Sequence, residues 1–184
     1  AEGVETNDRW SHESEVYFVK YLERGRYKHK RTVEKRSDGS GRKIADVVSV
    51  SYATVRSDWD AGDTREIRFF HGDTVILDGF IRKNSVDMIV ADLPYGVQHA
   101  SHVSGRRTRG AEALLEKAIA AWRKVLKRGG SAVLSYNANT TDMKILQSIL
   151  ADTGFAVDED ISNGRFRHRV DQSIERDIIA AIKE

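Results

Sequence analysis

Val86-Asp87-Met88-Ile89-Val90-Ala91 is a short apolar run that stops at Asp92-Leu93-Pro94-Tyr95-Gly96, and Pro94 is the only proline among the 184 residues. A run of this kind suits a strand covered on both faces, which predicts a central strand of a parallel sheet. A stiff turn directly after it falls beyond the carboxyl end of the strand, where open α/β sheets bind their ligands. The downstream segments fit the same architecture. From Ala111 to Arg128 the residues Leu114, Leu115, Ala118, Ile119, Trp122, Val125 and Leu126 form one stripe at helical spacing, ended by Lys127-Arg128-Gly129. Ser131 to Tyr136 reads as a strand, and Asp142 to Ala151 as a helix capped by Thr141 and closed by Gly154. Phe155 to Ile161 and Ile174 to Ile182 are two further strand candidates. Alternation of strand and helix predicts an α/β class with a mainly parallel sheet.

Upstream, Trp10, Tyr17, Phe18, Tyr21 and Leu22 recur near helical spacing between Asn7 and Leu22, and Gly25 supplies a stop. Residues 25–43 then carry eight Lys and Arg against Glu34 and Asp38, which reads as an exposed basic excursion, part of a polar insertion spanning about 25–66. Within it, Val48, Val50 and Tyr52 alternate with serines as a half-buried strand does. A second alternation, Ile67-Arg68-Phe69, follows a turn at Asp58 to Asp63. Pairing of these two strands is not decided by the sequence.

Length and composition, 40% hydrophobic and 32% charged, fit one domain with one core. Thirty basic residues stand against 28 acidic ones, so any surface that attracts a polyanion must be local. The chain has no cysteine, which excludes a disulfide framework, a thiolate metal site and a cysteine nucleophile. No apolar run approaches the roughly 18 residues of a membrane span, so no membrane partner is expected and the location is expected to be cytoplasmic.

At the turn after the apolar run, the Asp92 carboxylate can accept a hydrogen bond from an exocyclic amine and the Leu93 carbonyl can accept a second. Pro94 fixes its own φ and restricts Leu93, while Tyr95 offers a flat face for a planar base. This is a holder for a planar amine. A strand followed by an Asp-capped proline turn with no catalytic role is the bland alternative.

Asp92-Leu93-Pro94-Tyr95 resembles the (Asp/Asn)-Pro-Pro-(Tyr/Phe) motif of S-adenosylmethionine-dependent amino-methyltransferases at three positions of four, with Leu93 in place of the first proline. Through Phe18-Val19-Lys20-Tyr21-Leu22 and His168-Arg169-Val170-Asp171-Gln172-Ser173 the chain is also similar to bacterial THUMP-associated tRNA (guanine-N2) methyltransferases over nearly its whole length. The resemblance implies a Rossmann-like class I methyltransferase sheet with helices on both faces and an antiparallel last strand. It also implies methyl transfer from S-adenosylmethionine to an exocyclic base nitrogen of RNA, most specifically guanine N2 of tRNA. Asp92 would orient the amine, with Leu93, Pro94 and Tyr95 completing the catalytic turn. Gly72 and Asp73, one strand upstream, resemble the segment that meets the cofactor's adenine, and Asp92 is expected to contact the cofactor as well. Such families also carry a glycine-rich turn and an acidic residue earlier in the domain. The only glycine cluster here, Asp38-Gly39-Ser40-Gly41, follows no apolar strand and reads as a loop. The expectation is therefore a carboxyl-terminal part of the domain without its first two strands, prone to marginal stability or self-association at the bared strand edge.

Arg106, Arg107 and Arg109 follow the motif and could grip phosphates beside an unpaired nucleotide, as could Arg169 in the cluster Arg167-His168-Arg169. A solvated surface is the alternative for each. His99 and His102 have no matched second pair of ligands nearby, and His71 reads as structural, so no metal is expected. Tyr136 and Asn137 are expected to line the substrate side, and Trp122 to be buried on its helix stripe. Two other functions stay open: a DNA amino-methyltransferase, since Asp-x-Pro-Tyr does not separate the bases, and a non-catalytic nucleic-acid-binding module that has lost its cofactor site.

Overall fold

A computed structural model describes residues 2–93, 107–171 and 174–184, and the chain divides into two compact units, Ala1–Asp73 and Thr74–Glu184. The first unit opens with α1 (Glu2–Arg24), which covers the expected helix and ends before Gly25. It continues through β1 (Lys28–Ser37), β2 (Lys43–Ala53), the one-and-a-half-turn α2 (Arg56–Ala61) and β3 (Arg65–Gly72). The three strands form an antiparallel sheet in the order β1-β2-β3, with Val48 opposite both Val33 and Phe69. The two alternating segments left open by the sequence are therefore direct neighbours. Leu22 of α1 packs with Val48 and Val50, and Phe18, Val19, Tyr27, Tyr52 and Phe69 surround them. β2 is buried on both faces, because Ala45, Val47 and Ala53 on the other side are also covered.

The basic stretch expected to be an excursion is mostly the strand β1, exposed along nearly all its length. Its charged side chains stand on the sheet's outer edge, where charge opposes pairing with another chain. The glycine cluster forms the hairpin between β1 and β2. There the Asp38 carboxylate accepts from the Ser40 hydroxyl at 2.6 Å and from the Ser40 and Arg42 amides, and the Ser40 hydroxyl bond leads in holding its pKa below the usual carboxylate value.

The second unit begins with a 3₁₀ segment (Thr74–Gly79) and β4 (Val86–Asp92), followed by α3 (Arg107–Val125) and β5 (Leu126–Asn137). It closes with α4 (Met143–Asp152), β6 (Phe155–Val157), the short β7 (His168–Arg169) and β8 (Glu175–Lys183). The order is β4-β5-β8-β6, with β7 on β8. β4 and β5 run parallel, and β8 is antiparallel to β5, β6 and β7. This is an α/β sheet with the antiparallel last strand that the resemblance implies.

Ala118, Ile119 and Trp122 of α3 and Leu146, Ile149 and Leu150 of α4 join one core with Ala132, Leu134 and Tyr136 of β5 and Ile179 and Ala181 of β8. Trp122 is buried as expected, and its Nε1 donates to Thr74 Oγ1 at 2.7 Å. Several local outcomes differ from the sequence reading. The cap of α4 is Asp142, whose carboxylate accepts from the Lys144 amide at 2.9 Å, one residue later than Thr141. α3 stops at Val125, and residues 127–130 form an irregularity at which the β4–β5 register shifts. Gly129 there adopts φ of 74°, and a Cβ on Gly130 would approach the Lys127 carbonyl oxygen at 2.9 Å, so neither position tolerates a side chain without adjustment. β4 is also the edge of its sheet rather than a central strand, and Met88 and Val90 on one of its faces are exposed.

Candidate active site

Strand alternation fixes what β4 presents where it ends. Ile89, Ala91 and Leu93 turn toward the helices, whereas Met88, Val90 and Asp92 point to the opposite face. Leu93 is buried in the core, and its amide donates to the Ser135 carbonyl of β5 at 2.8 Å. The backbone on the carboxyl side of Asp92 is thereby anchored to the neighbouring strand. Asp92 itself is about half exposed, and its Oδ2 accepts from Arg176 Nη2 at 3.1 Å. Arg176 lies opposite Asn137 in the β5–β8 register, so it reaches across β5 on the same face of the sheet as Asp92. A guanidinium thus meets the carboxylate at the carboxyl edge.

Arg176 is invisible to sequence reasoning. No motif marks it, and the only signal is the register of the terminal antiparallel strand, which requires the sheet to be known. The expected roles of Tyr136 and Asn137 do not survive. Tyr136 is fully buried with its hydroxyl donating to Asp177 Oδ2 at 3.4 Å, and burial together with the Asp177 charge raises its pKa to about 12. Asn137 is equally buried, and its Oδ1 accepts from the Asn139 and Glu175 amides, which ties the end of β5 to the start of β8. Both residues build the floor beneath the edge. A shallow polar depression does lie beyond β5, lined by residues 138–143 and Arg167.

Pro94, Tyr95, Arg106, His99 and His102 lie outside the described residues. Arg107 and Arg109 fall in the first turn of α3, whose N-terminal end carries no acidic residue. Arg169 is exposed on β7 and donates through Nε to the Asp171 carbonyl, and Arg167, also exposed, brings its Nε within 3.5 Å of the buried Asp177. All three residues of the basic cluster therefore lie at the surface. Gly72 ends β3 and Asp73 follows it, both in the first unit, whereas Asp92 and Leu93 belong to the second. Also in the first unit, His12, Glu15 and His71 bring three potential metal-ligand atoms within 4.8 Å of one another. No helix among the described residues is long and apolar enough to cross a membrane.

No family model and no curated protein matches the chain. Among solved structures it is similar to a Thermus thermophilus protein whose description as a DNA modification methylase is provisional, at 17% identity and a TM-score of 0.42, over 61% of this chain and 50% of that one. The same Thermus protein complexed with S-adenosyl-L-methionine matches at 16% identity and a TM-score of 0.41, over 61% of this chain and 53% of that one. PvuII DNA methyltransferase, described as cytosine-N4-specific, matches at 13% identity and a TM-score of 0.45, over 61% and 48%. The chain spans about half the length of each of these structures.

Proposed function

We propose that this chain carries the amine-positioning part of an S-adenosylmethionine-dependent methyltransferase that modifies an exocyclic nitrogen of a nucleic-acid base. The observation that carries the reading is Asp92: a half-exposed carboxylate at the carboxyl end of a parallel strand, on an anchored backbone, with Arg176 on Oδ2. The Asp92 carboxylate accepts one hydrogen of the amine and the Leu93 carbonyl accepts the other, which aims the nitrogen lone pair out of the base plane. Arg176 keeps the carboxylate from swinging away while the amine binds. S-adenosylmethionine supplies an electrophilic methyl group when bound. The Asp92 carboxylate at the open edge fits the role of orienting the amine. Gly72 and Asp73 are assigned to its adenosine by resemblance. Tyr95 stacks on the base, Pro94 stiffens the turn, and Arg106, Arg107, Arg109 and Arg169 take flanking phosphates.

Positioning is the main contribution asked of this site, since the proton can leave the nitrogen after transfer and no strong base is needed. Guanine N2 of tRNA is the finer substrate reading, supported by the Phe18 to Leu22 and His168 to Ser173 stretches. Adenine or cytosine in DNA is the second, and the names of the similar solved structures stand on that side. Incorporation of labelled methyl groups into unmodified tRNA and into unmethylated DNA, measured with the full-length protein, separates the two. Asp92→Ala should lower transfer by about 100-fold or more, because misplacement of a reacting group by an ångström already costs that much. Transfer within about threefold of wild type in that variant would refute the role of Asp92.

A further inference from the structure

The amino-terminal unit places two imidazoles and a carboxylate around one point, and nothing in the methyl-transfer reading uses them. His12 and Glu15 sit three residues apart on α1, on one face of the helix, and His71 approaches from β3. The Glu15 Oε2 atom lies 3.6 Å from His71 Nε2 and 3.8 Å from His12 Nδ1. The Glu15 side chain is 4% exposed, and its Oε2 accepts no hydrogen bond from the described residues. A buried carboxylate oxygen left in that state is costly unless a cation meets it. The other oxygen, Oε1, is held by Arg31 Nε at 2.6 Å, which fixes the carboxylate plane and turns Oε2 toward the two rings. Orientation of a ligating carboxylate by a partner on its outer oxygen is the usual arrangement around bound metals.

We infer that His12, Glu15 and His71 form a binding site for a zinc-class divalent cation. Bonds of about 2.0–2.1 Å in tetrahedral geometry separate ligand atoms by about 3.3 Å, so the 3.6 and 3.8 Å separations from Glu15 need to close by a few tenths of an ångström, and the two imidazoles, within 4.8 Å of each other, close further by rotation of the exposed His12 side chain. Two imidazoles and one carboxylate are a donor set that suits zinc and its neighbours over magnesium or calcium, which prefer oxygen alone. His12 is two-thirds exposed, so the cation enters from its side and water takes the fourth position. Bound there, the cation joins α1 to the end of β3, directly before Gly72 and Asp73. The inference departs from the expectation, drawn from the cysteine count and from His99 and His102, that the chain holds no metal. The alternative is a bare ion pair in which a protonated His71 satisfies Glu15.

The test is titration of the chelator-treated full chain with zinc chloride by calorimetry and with cobalt chloride by visible absorption. One cation per chain is expected, with the intense d–d bands of a four-coordinate cobalt. His12→Ala, Glu15→Gln and His71→Ala should each weaken binding by at least about tenfold, the lower bound seen even for outer partners of a ligand. His12 is the most exposed of the three, so its variant keeps the fold, checked by circular dichroism; His168→Ala, on exposed β7, should leave binding unchanged. Absence of binding up to about 1 mM zinc, or equal weakening by His12→Ala and His168→Ala, would overturn the site.

Discussion

The two units finish their sheets in opposite ways. β1, one outer strand of the first, is lined with Lys28, Lys30, Arg31, Lys35 and Arg36 and buries almost nothing. β4, one outer strand of the second, leaves Met88 and Val90 exposed at 57% and 70% and carries no lysine or arginine at all. A charged edge resists pairing with other chains, whereas an apolar edge invites it. At these edges the first sheet opposes further pairing, whereas the second leaves apolar side chains exposed. The cores differ in the same direction. Fourteen buried residues interlock in the second unit, against three that define the cluster around Leu22 in the first, where partly exposed aromatic rings close the gap.

The largest effect that would break this contrast is on stability. Leu134→Ala, in the middle of β5, should cost about 2–5 kcal/mol in chemical denaturation, and Leu22→Ala should fall at the lower end because the surrounding rings can collapse into the space. A larger loss for Leu22→Ala would reverse the ranking of the two cores. Next comes alkaline stability in the second unit. The Tyr136 hydroxyl has a pKa raised from 10.0 to about 12, so its contribution is complete below pH 10 and is lost as pH rises from 10 to 12. The loss is about 2 kcal/mol by linkage, and Tyr136→Phe should remove that limb of the pH profile. An unchanged limb would show that the buried pair with Asp177 does not resist ionisation. The smallest effect on stability, within about 0.5 kcal/mol, is expected for Val90→Lys, yet this change should lower the average mass in sedimentation at high concentration. Val33→Lys on β1 should alter neither quantity, and an equal fall in mass for both would erase the distinction between the edges.

Legibility follows burial. α1 and α3 are readable because one face of each is apolar at helical period, β8 because of its continuous apolar run Ile178 to Ile182, and the Val48 to Tyr52 strand because its neighbours are serines. β1 is not readable, since a strand exposed on both faces has no period to reveal and its composition is that of a loop. β6 is shorter than its apolar pattern because the Asp158 carboxylate accepts from the Asp160 and Ile161 amides and turns the chain away after Val157. At the candidate site, Asp92 is found from a local motif, whereas Arg176, 84 residues later, depends on strand order and register. Tyr136 and Asn137 escape correct assignment because position at the end of a strand does not say whether a side chain stays open to solvent, and both are buried.

The placement of β8 sets a timetable for synthesis. It lies between β5 and β6 although it follows both in sequence, with Ala181 facing Ala132 on one side and Val157 on the other. Neither of those strands meets its sheet partner on that side until residues 175–183 have left the ribosome. Until then Leu134 and Phe155 lack their β8 neighbour, in a chain that also presents the bare β4 edge. Non-local pairing of this kind is slow and leaves an intermediate open to aggregation. Arrival of β8 ends that window in one step, since Lys183 then locks onto the Leu126 carbonyl and Asn84 Oδ1 across the sheet.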